Sequence, residues 1–199
     1  MRSCLLLLFA ATLSAQPFDF PDPSTAALPA LAKQVLQAYD GDNRFHLQIV
    51  AGDYSGALAS LDRLRAQRDP ALAAWMDRQY EIYARAKAKP LPFDEAYRAA
   101  FREVVEPMPA VPAALLVRAM DANPQAFGFD RLVAGDLERQ KGKTTIALDD
   151  AVALLRDFDI ARTYRDAAPL VKALIAEDDA RRYVIDRDVA VKTKDGATL

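Results

Sequence analysis

Cysteine and histidine are almost absent from this sequence, and their scarcity excludes several kinds of site. The 199 residues contain one cysteine, Cys4, and one histidine, His46. The rest of the chain therefore cannot form a disulfide, a cysteine nucleophile or a cysteine-based zinc site. Glycine is also scarce, with seven residues, which suits a helical protein better than a turn-rich β protein.

An excess of positive charge is missing as well. The chain has 26 basic and 28 acidic residues, a net charge of −2 and an isoelectric point near 5.5. A protein that binds DNA or RNA needs clustered basic residues to displace counterions from phosphates. The balance therefore argues against a nucleic-acid partner. With 52% hydrophobic residues, the chain can bury the core of one ordinary domain.

Residues 1–15 have the pattern of a secretory signal peptide. Arg2 gives a basic start, an unbroken apolar run follows from Cys4 to Ala11, and Ala15 is a small residue suited to cleavage. The run is too short to span a bilayer, which needs about 20 apolar residues. The pattern predicts an exported bacterial protein, periplasmic or secreted, with no membrane attachment after cleavage.

A proline-marked, extended lead-in over 16–27 precedes a long stretch in which apolar residues recur at helical spacing. The spacing predicts an all-α domain over 28–182, an antiparallel bundle or short solenoid of about eight to nine helices. It favours one helix over 70–89 and two separate helices, one around 149–158 and one around 170–175. The aromatic residues expected in its core, rather than in a ligand cage, are Trp75, Tyr80, Tyr83, Tyr97 and Phe101.

Residues 52–70 resemble the second half of a tetratricopeptide (TPR) repeat. Gly52 ends one helix, Ala57 and Leu61 face back from the next, and Pro70 closes the segment. A small residue such as Ala57 lets two helices cross closely. Because no second copy follows at the 34-residue period, the pattern predicts a TPR-like helical hairpin more than a repeat array.

Lys141-Gly142-Lys143-Thr144-Thr145 suggests a phosphate-binding loop. Such a loop needs a glycine five residues before Gly142, and that position is Leu137. No buried strand precedes the segment in the predicted pattern of elements. We therefore expect a solvated basic turn between helices.

His46 is the candidate general base or metal ligand because it is the sole histidine. No cysteine or second histidine can share a metal with it, and the Gly-x-Ser-x-Gly elbow of serine hydrolases is absent. The serines Ser24, Ser55 and Ser60 fall at caps or within helices. We therefore expect His46 to be a surface or half-buried residue without a catalytic role.

Two carboxylate clusters, Asp149-Asp150 and Glu177-Asp178-Asp179, could suggest acid–base pairs or calcium ligands. Neighbours in a helix do not face each other, and neither cluster has the spacing of a calcium loop. We expect the first cluster to cap a helix and the second to be a solvated helix end. The sequence thus predicts no catalytic residue, metal ligand or cofactor-binding residue, and it leaves open whether the protein is an enzyme.

The segment 183–199 has a different pattern, with β-type alternation through Val189 and Val191 and a hairpin-turn dipeptide, Asp195-Gly196, before Leu199. It resembles the first β-hairpin of the X-Pro dipeptidyl-peptidase/cocaine-esterase-like (CocE/NonD) α/β-hydrolases. That resemblance implies a serine hydrolase acting on acyl or X-Pro peptide bonds through a Ser-His-Asp triad, none of whose members matches a position here. We expect a β-containing domain of which only the opening is present.

Two functions remain open on the sequence alone. The first is a non-catalytic helical N-terminal region of an exported serine hydrolase, whose partner is the downstream catalytic domain. The alternative is a stand-alone periplasmic TPR-like module that binds another protein. A stand-alone module needs a concave surface lined by stacked helix pairs, so the shape of the helical region bears on the choice.

Overall fold

The structure is a computed structural model that describes residues 17–121 and 125–184. The predicted signal peptide and residues 185–199 of the predicted hairpin lie outside these residues. The helices are α1 (Leu28–Val35), α2 (Arg44–Ala51), α3 (Tyr54–Gln67), α4 (Pro70–Ala73), α5 (Arg78–Ala88), α6 (Phe93–Val105), α7 (Ala110–Asp121), α8 (Gln125–Gln140) and α9 (Leu148–Arg182). The all-α class predicted from the sequence is confirmed.

A two-stranded antiparallel sheet closes the N-terminal lead-in against the turn before α9. Strand β1 (Phe18–Asp19) pairs with β2 (Thr145–Ile146), and Phe18 lies opposite Ile146. The amide of Phe20 continues the pairing with a 2.8 Å hydrogen bond to the carbonyl of Thr144. Because the Phe20 and Ile146 side chains are both buried, the lead-in is part of the folded body.

The hairpin of α2 and α3 has the local chemistry that the sequence predicts at 52–70. Gly52 adopts a positive φ of 81°, the left-handed conformation in which glycine is least strained. The Asp53 carboxylate accepts a hydrogen bond from the amide of Gly56 at 2.9 Å and so caps α3. Ala57 is fully buried, as the close packing of this hairpin requires.

The helix expected over 70–89 is broken, so that prediction is wrong. Helix α4 ends at Ala73, and α5 starts only after Asp77, whose φ is +59°. Aspartate tolerates this left-handed conformation better than most residues. The Arg68 guanidinium lies 2.5 Å from the Asp77 carboxylate and so ties the end of α3 to this break.

Two helices expected around 149–158 and 170–175 are one helix, α9, which is 35 residues long. It contains Pro169, which lacks an amide proton and therefore leaves one helical hydrogen bond unmade. Tertiary contacts offset this loss, because α9 packs against α1, α2, α5, α6, α7 and α8. Packing therefore overrides the local signal for a break.

Helix α9 runs through two hydrophobic cores. The first core joins the lead-in, α1, α2 and α8 to the beginning of α9, and the second core joins α2, α3, α5, α6 and α7 to its end. Members of the first core include Phe20, Leu28, Leu31, Val35, Leu47, Val133, Ile146, Leu154 and Leu155. Members of the second core include Phe45, Ile49, Ala57, Leu61, Tyr80, Tyr83, Tyr97, Phe101, Leu116, Leu170 and Leu174, and Trp75 packs against it partly buried.

We expect that replacing Ala57 with leucine destabilises the fold, because the second core has no space for three additional carbon atoms at this position. Overpacking of this kind costs about 1–3 kcal/mol. Urea unfolding followed by circular dichroism measures the change. Ala59→Leu is the matched control, since Ala59 is exposed on the same helix and should change stability by less than about 0.5 kcal/mol. Equal midpoints for the two variants would contradict close packing at Ala57.

Candidate functional site

Polar side chains are buried in the middle of α9, between the parts of the helix that line the two cores. Asp159 is 0% exposed and Thr163 is also buried. Opposite them lie His46 of α2, which is 5% exposed, and the buried Tyr80 of α5. Together with Arg162 of α9, these residues form what we call the buried polar cluster.

Asp159 is the centre of this cluster. One of its carboxylate oxygens, Oδ2, is hydrogen-bonded to Nδ1 of His46 at 2.9 Å. The other oxygen, Oδ1, accepts a long hydrogen bond of 3.5 Å from the Thr163 hydroxyl and lies 3.7 Å from the Arg162 guanidinium. Arg162 also donates to the carbonyl oxygen of Ile49 at 3.0 Å. The cluster therefore fastens the middle of α9 to α2 at two points.

Burial dominates the electrostatics of the cluster. Removal from water raises the pKa of Asp159, while its hydrogen bond to His46 and the charges of His46 and Arg162 act in the opposite direction. Burial also raises the pKa of Tyr80, and the nearby Asp159 carboxylate adds to that shift. The Tyr80 ring meets the His46 ring edge-on, with ring centroids 4.6 Å apart. Tyr80 thus remains neutral and holds the imidazole in place.

A histidine hydrogen-bonded to a buried carboxylate is two thirds of a Ser-His-Asp triad, but the serines in the described part of the chain lie elsewhere. The Ser24 hydroxyl donates to Asp22 at 3.2 Å, and the Ser55 hydroxyl donates to Asp53 at 3.3 Å. Ser60 lines a surface groove beside Asp40 and Arg63. His46 is 5% exposed, so its imidazole is directed at Asp159 and Tyr80 and not at solvent.

The expectation that His46 is a surface or half-buried residue is therefore wrong. The sequence does contain a signal for its partner. Asp159 lies four residues after Leu155 and four before Thr163, on the stripe of α9 that is buried along its length. An acid on such a buried stripe, in a chain with a single histidine, indicates a buried pair of this kind.

A second buried carboxylate, Glu81 of α5, is held by three arginines. Its oxygens lie 2.6 Å from the guanidinium of Arg65 in α3, 2.8 Å from that of Arg78 and 2.9 Å from that of Arg85. Burial by itself would raise the pKa of Glu81, but the hydrogen bonds and charges of Arg78, Arg65 and Arg85 outweigh burial and leave the pKa below its usual value. This carboxylate therefore stays ionised and ties α3 to α5.

The lysine-rich segment 141–144 forms an exposed turn, as the sequence predicts, but the turn joins α8 to strand β2, which starts at Thr145, and not to another helix. Gly142 has a positive φ of 77°, which fits a tight turn after a helix. Lys141 and Lys143 are both exposed. The segment follows a helix instead of a buried strand, so the setting of a phosphate-binding loop is not present here.

The two carboxylate clusters differ from expectation. Ala147 occupies the N-cap position of α9 and makes no side-chain cap, so capping by Asp149 or Asp150 is wrong. Both carboxylates are exposed in the first turn of α9, where a negative charge interacts favourably with the positive end of the helix dipole. In the other cluster Glu177 is exposed, but Asp178 is buried, so a fully solvated helix end is also wrong.

Asp178 begins a chain of contacts that fixes the C-terminal end of α9. Its carboxylate accepts hydrogen bonds from Arg181 at 2.6 Å and from Arg182 at 2.7 Å. Arg182 also donates to the carbonyl oxygens of Met108, at 2.9 Å, and of Val105. The last turn of α9 is therefore anchored to the junction between α6 and α7, which we call the C-terminal corner.

Within residues 17–121 and 125–184, no group of three or more histidine, cysteine, aspartate or glutamate side chains could hold a metal ion. Helices in the same part of the chain lack the combination of length and apolarity that crossing a membrane requires. Comparison of the chain with protein-family models, curated proteins and solved structures found no match.

We expect His46→Leu to destabilise the protein by about 3–5 kcal/mol at neutral pH, because it removes the main partner of a fully buried carboxylate. The double variant His46→Leu/Asp159→Leu should recover much of that loss, since it leaves no buried carboxylate without its histidine partner. Urea unfolding of the wild type, both single variants and the double variant gives the coupling free energy. Strictly additive losses would show that the pair does not join α2 to α9.

The pH dependence of the free energy of unfolding of the variant Glu81→Gln tests the contribution of the second buried carboxylate. Because the fold lowers the pKa of Glu81, its contribution to stability is present above the unfolded-state pKa of about 4.3 and is lost as pH falls through the lower folded-state pKa. We expect the variant to be less stable by about 1–3 kcal/mol at pH 7, with the difference from wild type disappearing in acid.

The matched control for Glu81 is Glu103→Gln. Glu103 forms a 2.8 Å ion pair with Lys89, but the carboxylate is half exposed, and pairs of that kind contribute less than about 1 kcal/mol. Free energies of unfolding measured from about pH 3 to 7 separate the two cases. A Glu81 difference that persists unchanged at the acid end would show that volume or shape, and not charge, is responsible.

Proposed function

We propose that the chain is a non-catalytic helical region of an exported serine hydrolase, and that it carries and orients the hydrolase-like segment 183–199. The observation on which this proposal rests is the C-terminal corner. There Arg182 anchors α9, Tyr183 has the extended backbone angles φ −128° and ψ 145°, and Val184 is 100% exposed. The backbone thus leaves the helical body from a fixed point and in a defined direction.

The anchored end belongs to a stiff helix. At 1.5 Å per residue, the 35 residues of α9 extend over about 50 Å, and the helix is buried along one side through both hydrophobic cores. Asp159 connects α9 to α2, Asp178 holds Arg182 at the end of α9, and Glu81 connects α3 to α5. A segment attached to Arg182 would be held relative to the whole helical region and not only to the last turn.

The resemblance of 183–199 to the first hairpin of CocE/NonD hydrolases supports the identity of the attached domain. The reaction that this resemblance implies, hydrolysis of acyl or X-Pro peptide bonds, would take place in that domain. The buried polar cluster supports placing the reaction in the attached domain, because the histidine and carboxylate of the cluster join helices. The helical region would then contribute position and stability, and the attached domain the chemistry.

The alternative function, a TPR-like protein-interaction module, is favoured by the α2–α3 hairpin with its buried Ala57. Such modules bind partners in a groove lined by successive helical hairpins. Here α9 packs against α1, α2, α5, α6 and α7, so the chain's own helix covers faces that a partner would need. This packing makes the hydrolase region the better-supported proposal.

The coding sequence beyond the Leu199 codon tests the proposal. We expect the same reading frame to continue into a domain containing Gly-x-Ser-x-Gly, and we expect the extended protein to hydrolyse a p-nitrophenyl ester or an X-Pro p-nitroanilide. The 199-residue chain should leave both substrates intact, because its histidine–carboxylate pair is buried.

Replacing the elbow serine of the extended protein with alanine is the control for that assay, and it should abolish hydrolysis without changing the helical circular dichroism. A stop codon after Leu199 with no hydrolase sequence in any nearby frame would refute the proposal. Turnover by the 199-residue chain itself would refute it as well, since the activity would then lie in the helical region.

A further inference from the structure

Helix α7 has an exposed apolar face next to the C-terminal corner. Val111 is 71% exposed and Leu115, one turn further along the same side, is 41% exposed. The opposite side of α7 is already packed, because Leu116 and Val117 are buried in the second core. The helix is thus apolar on both its inner and its outer side.

A helix that is apolar all round is normally covered on all sides. The sequence of α7, Ala-Val-Pro-Ala-Ala-Leu-Leu-Val-Arg-Ala-Met-Asp, has only Arg118 and Asp121 as charged residues, both in its last turn. The first two turns of α7 carry no charged residue of their own, and the exposed Arg118 follows Leu115 one turn later on the same side. This asymmetry indicates that a further part of the structure packs on the N-terminal half of α7.

The segment that follows α9 begins at this same place. Arg182 donates to the carbonyl oxygen of Met108 at 2.9 Å, and Met108 precedes Val111 by only three residues. The chain continues for 15 residues beyond Val184, a reach of up to about 50 Å when extended. Helix α7 is about 18 Å long by its rise per residue, so the segment is long enough to span its exposed side.

The chemistry of the two surfaces also matches. In an extended conformation, Ile185, Val189 and Val191 share one side of the segment after Val184 with Arg187, while Asp186, Asp188 and Lys192 lie on the other side. The outer side of α7 offers the complementary apolar contact at Val111 and Leu115. Burial of exposed apolar side chains on both partners would supply the free energy of the contact.

We propose that Val111 and Leu115 of α7 are the docking surface for residues 185–199 of this chain. The proposal rests on the proposed function and deepens it, because the docked segment is the one that resembles the hydrolase hairpin. Docking on α7 would add a second fixed point to the anchor at Arg182. Two fixed points define an orientation, so the attached domain would have one position relative to the helical body.

Single cysteines test the docking surface, because the chain contains no cysteine except Cys4. In the full chain with Cys4→Ser, Leu115→Cys reports on α7 and Leu132→Cys on α8 serves as the matched control, since Leu132 is 52% exposed. We expect a soluble disulfide reagent to label the α7 cysteine at least about tenfold more slowly than the control, as burial of its side chain demands.

Charged residues placed in the segment provide the second arm of the experiment. Val189→Asp combined with Val191→Asp should raise the labelling rate of the α7 cysteine to within about twofold of the control, because charges cannot be buried on α7. Both substitutions lie beyond Arg182, the last residue of α9, so the circular dichroism of the helical body should not change. The Leu132→Cys rate should also stay the same.

Three outcomes would overturn the docking proposal. In the first, the two cysteines react equally fast before any change to the segment. In the second, protection of the α7 cysteine increases with protein concentration, which would identify a second copy as the occupant. In the third, protection persists after the aspartate substitutions, so that another part of the chain covers α7. The hydrolase proposal would survive all three, because it depends on the downstream reading frame and on activity.

Discussion

The hydrogen bond between His46 and Asp159 is the interaction on which the rest of the structure depends. Helix α9 must pass from the first core to the second, and at the passage it buries a carboxylate that is 0% exposed. An uncompensated charge at that depth would cost several kcal/mol and would favour an open α9. The His46 imidazole, 2.9 Å away on α2, compensates it and at the same time joins the two cores.

Three of the buried carboxylates, Glu81, Asp159 and Asp178, act as joints, and each joins a different part of the body. Glu81 connects α5 to α3 through Arg65, and Asp178 holds Arg182 in reach of the α6–α7 junction. In each case the acid is stabilised by charged hydrogen bonds that only the folded arrangement supplies. A helical region built in this way resists relative movement of its helices, which is the property that a support for another domain requires.

This arrangement uses helix faces and polar side chains for contacts within the helical region. The one histidine is used as a joint, and α9 covers faces of α1, α2, α5, α6 and α7 that a repeat protein would keep for a partner. An exposed apolar face remains on α7, beside the point at which the chain leaves the body. Under our proposals, the helical region therefore acts where α9 ends, by holding the segment that is attached to Arg182.

Local patterns in the sequence determined the helical class, the α2–α3 hairpin around Gly52 and Ala57, and the core positions of Tyr83 and Tyr97. These features follow from short-range spacing, which any segment carries by itself. The tertiary structure alone decided that α9 continues through Pro169, that Asp77 breaks the preceding helix, and that His46 and Asp178 are buried. The continuation of α9 and the buried positions of His46 and Asp178 depend on residues far away in the chain: 113 residues separate His46 from Asp159 and 74 separate Arg182 from Met108, and no local pattern specifies which distant residues will meet.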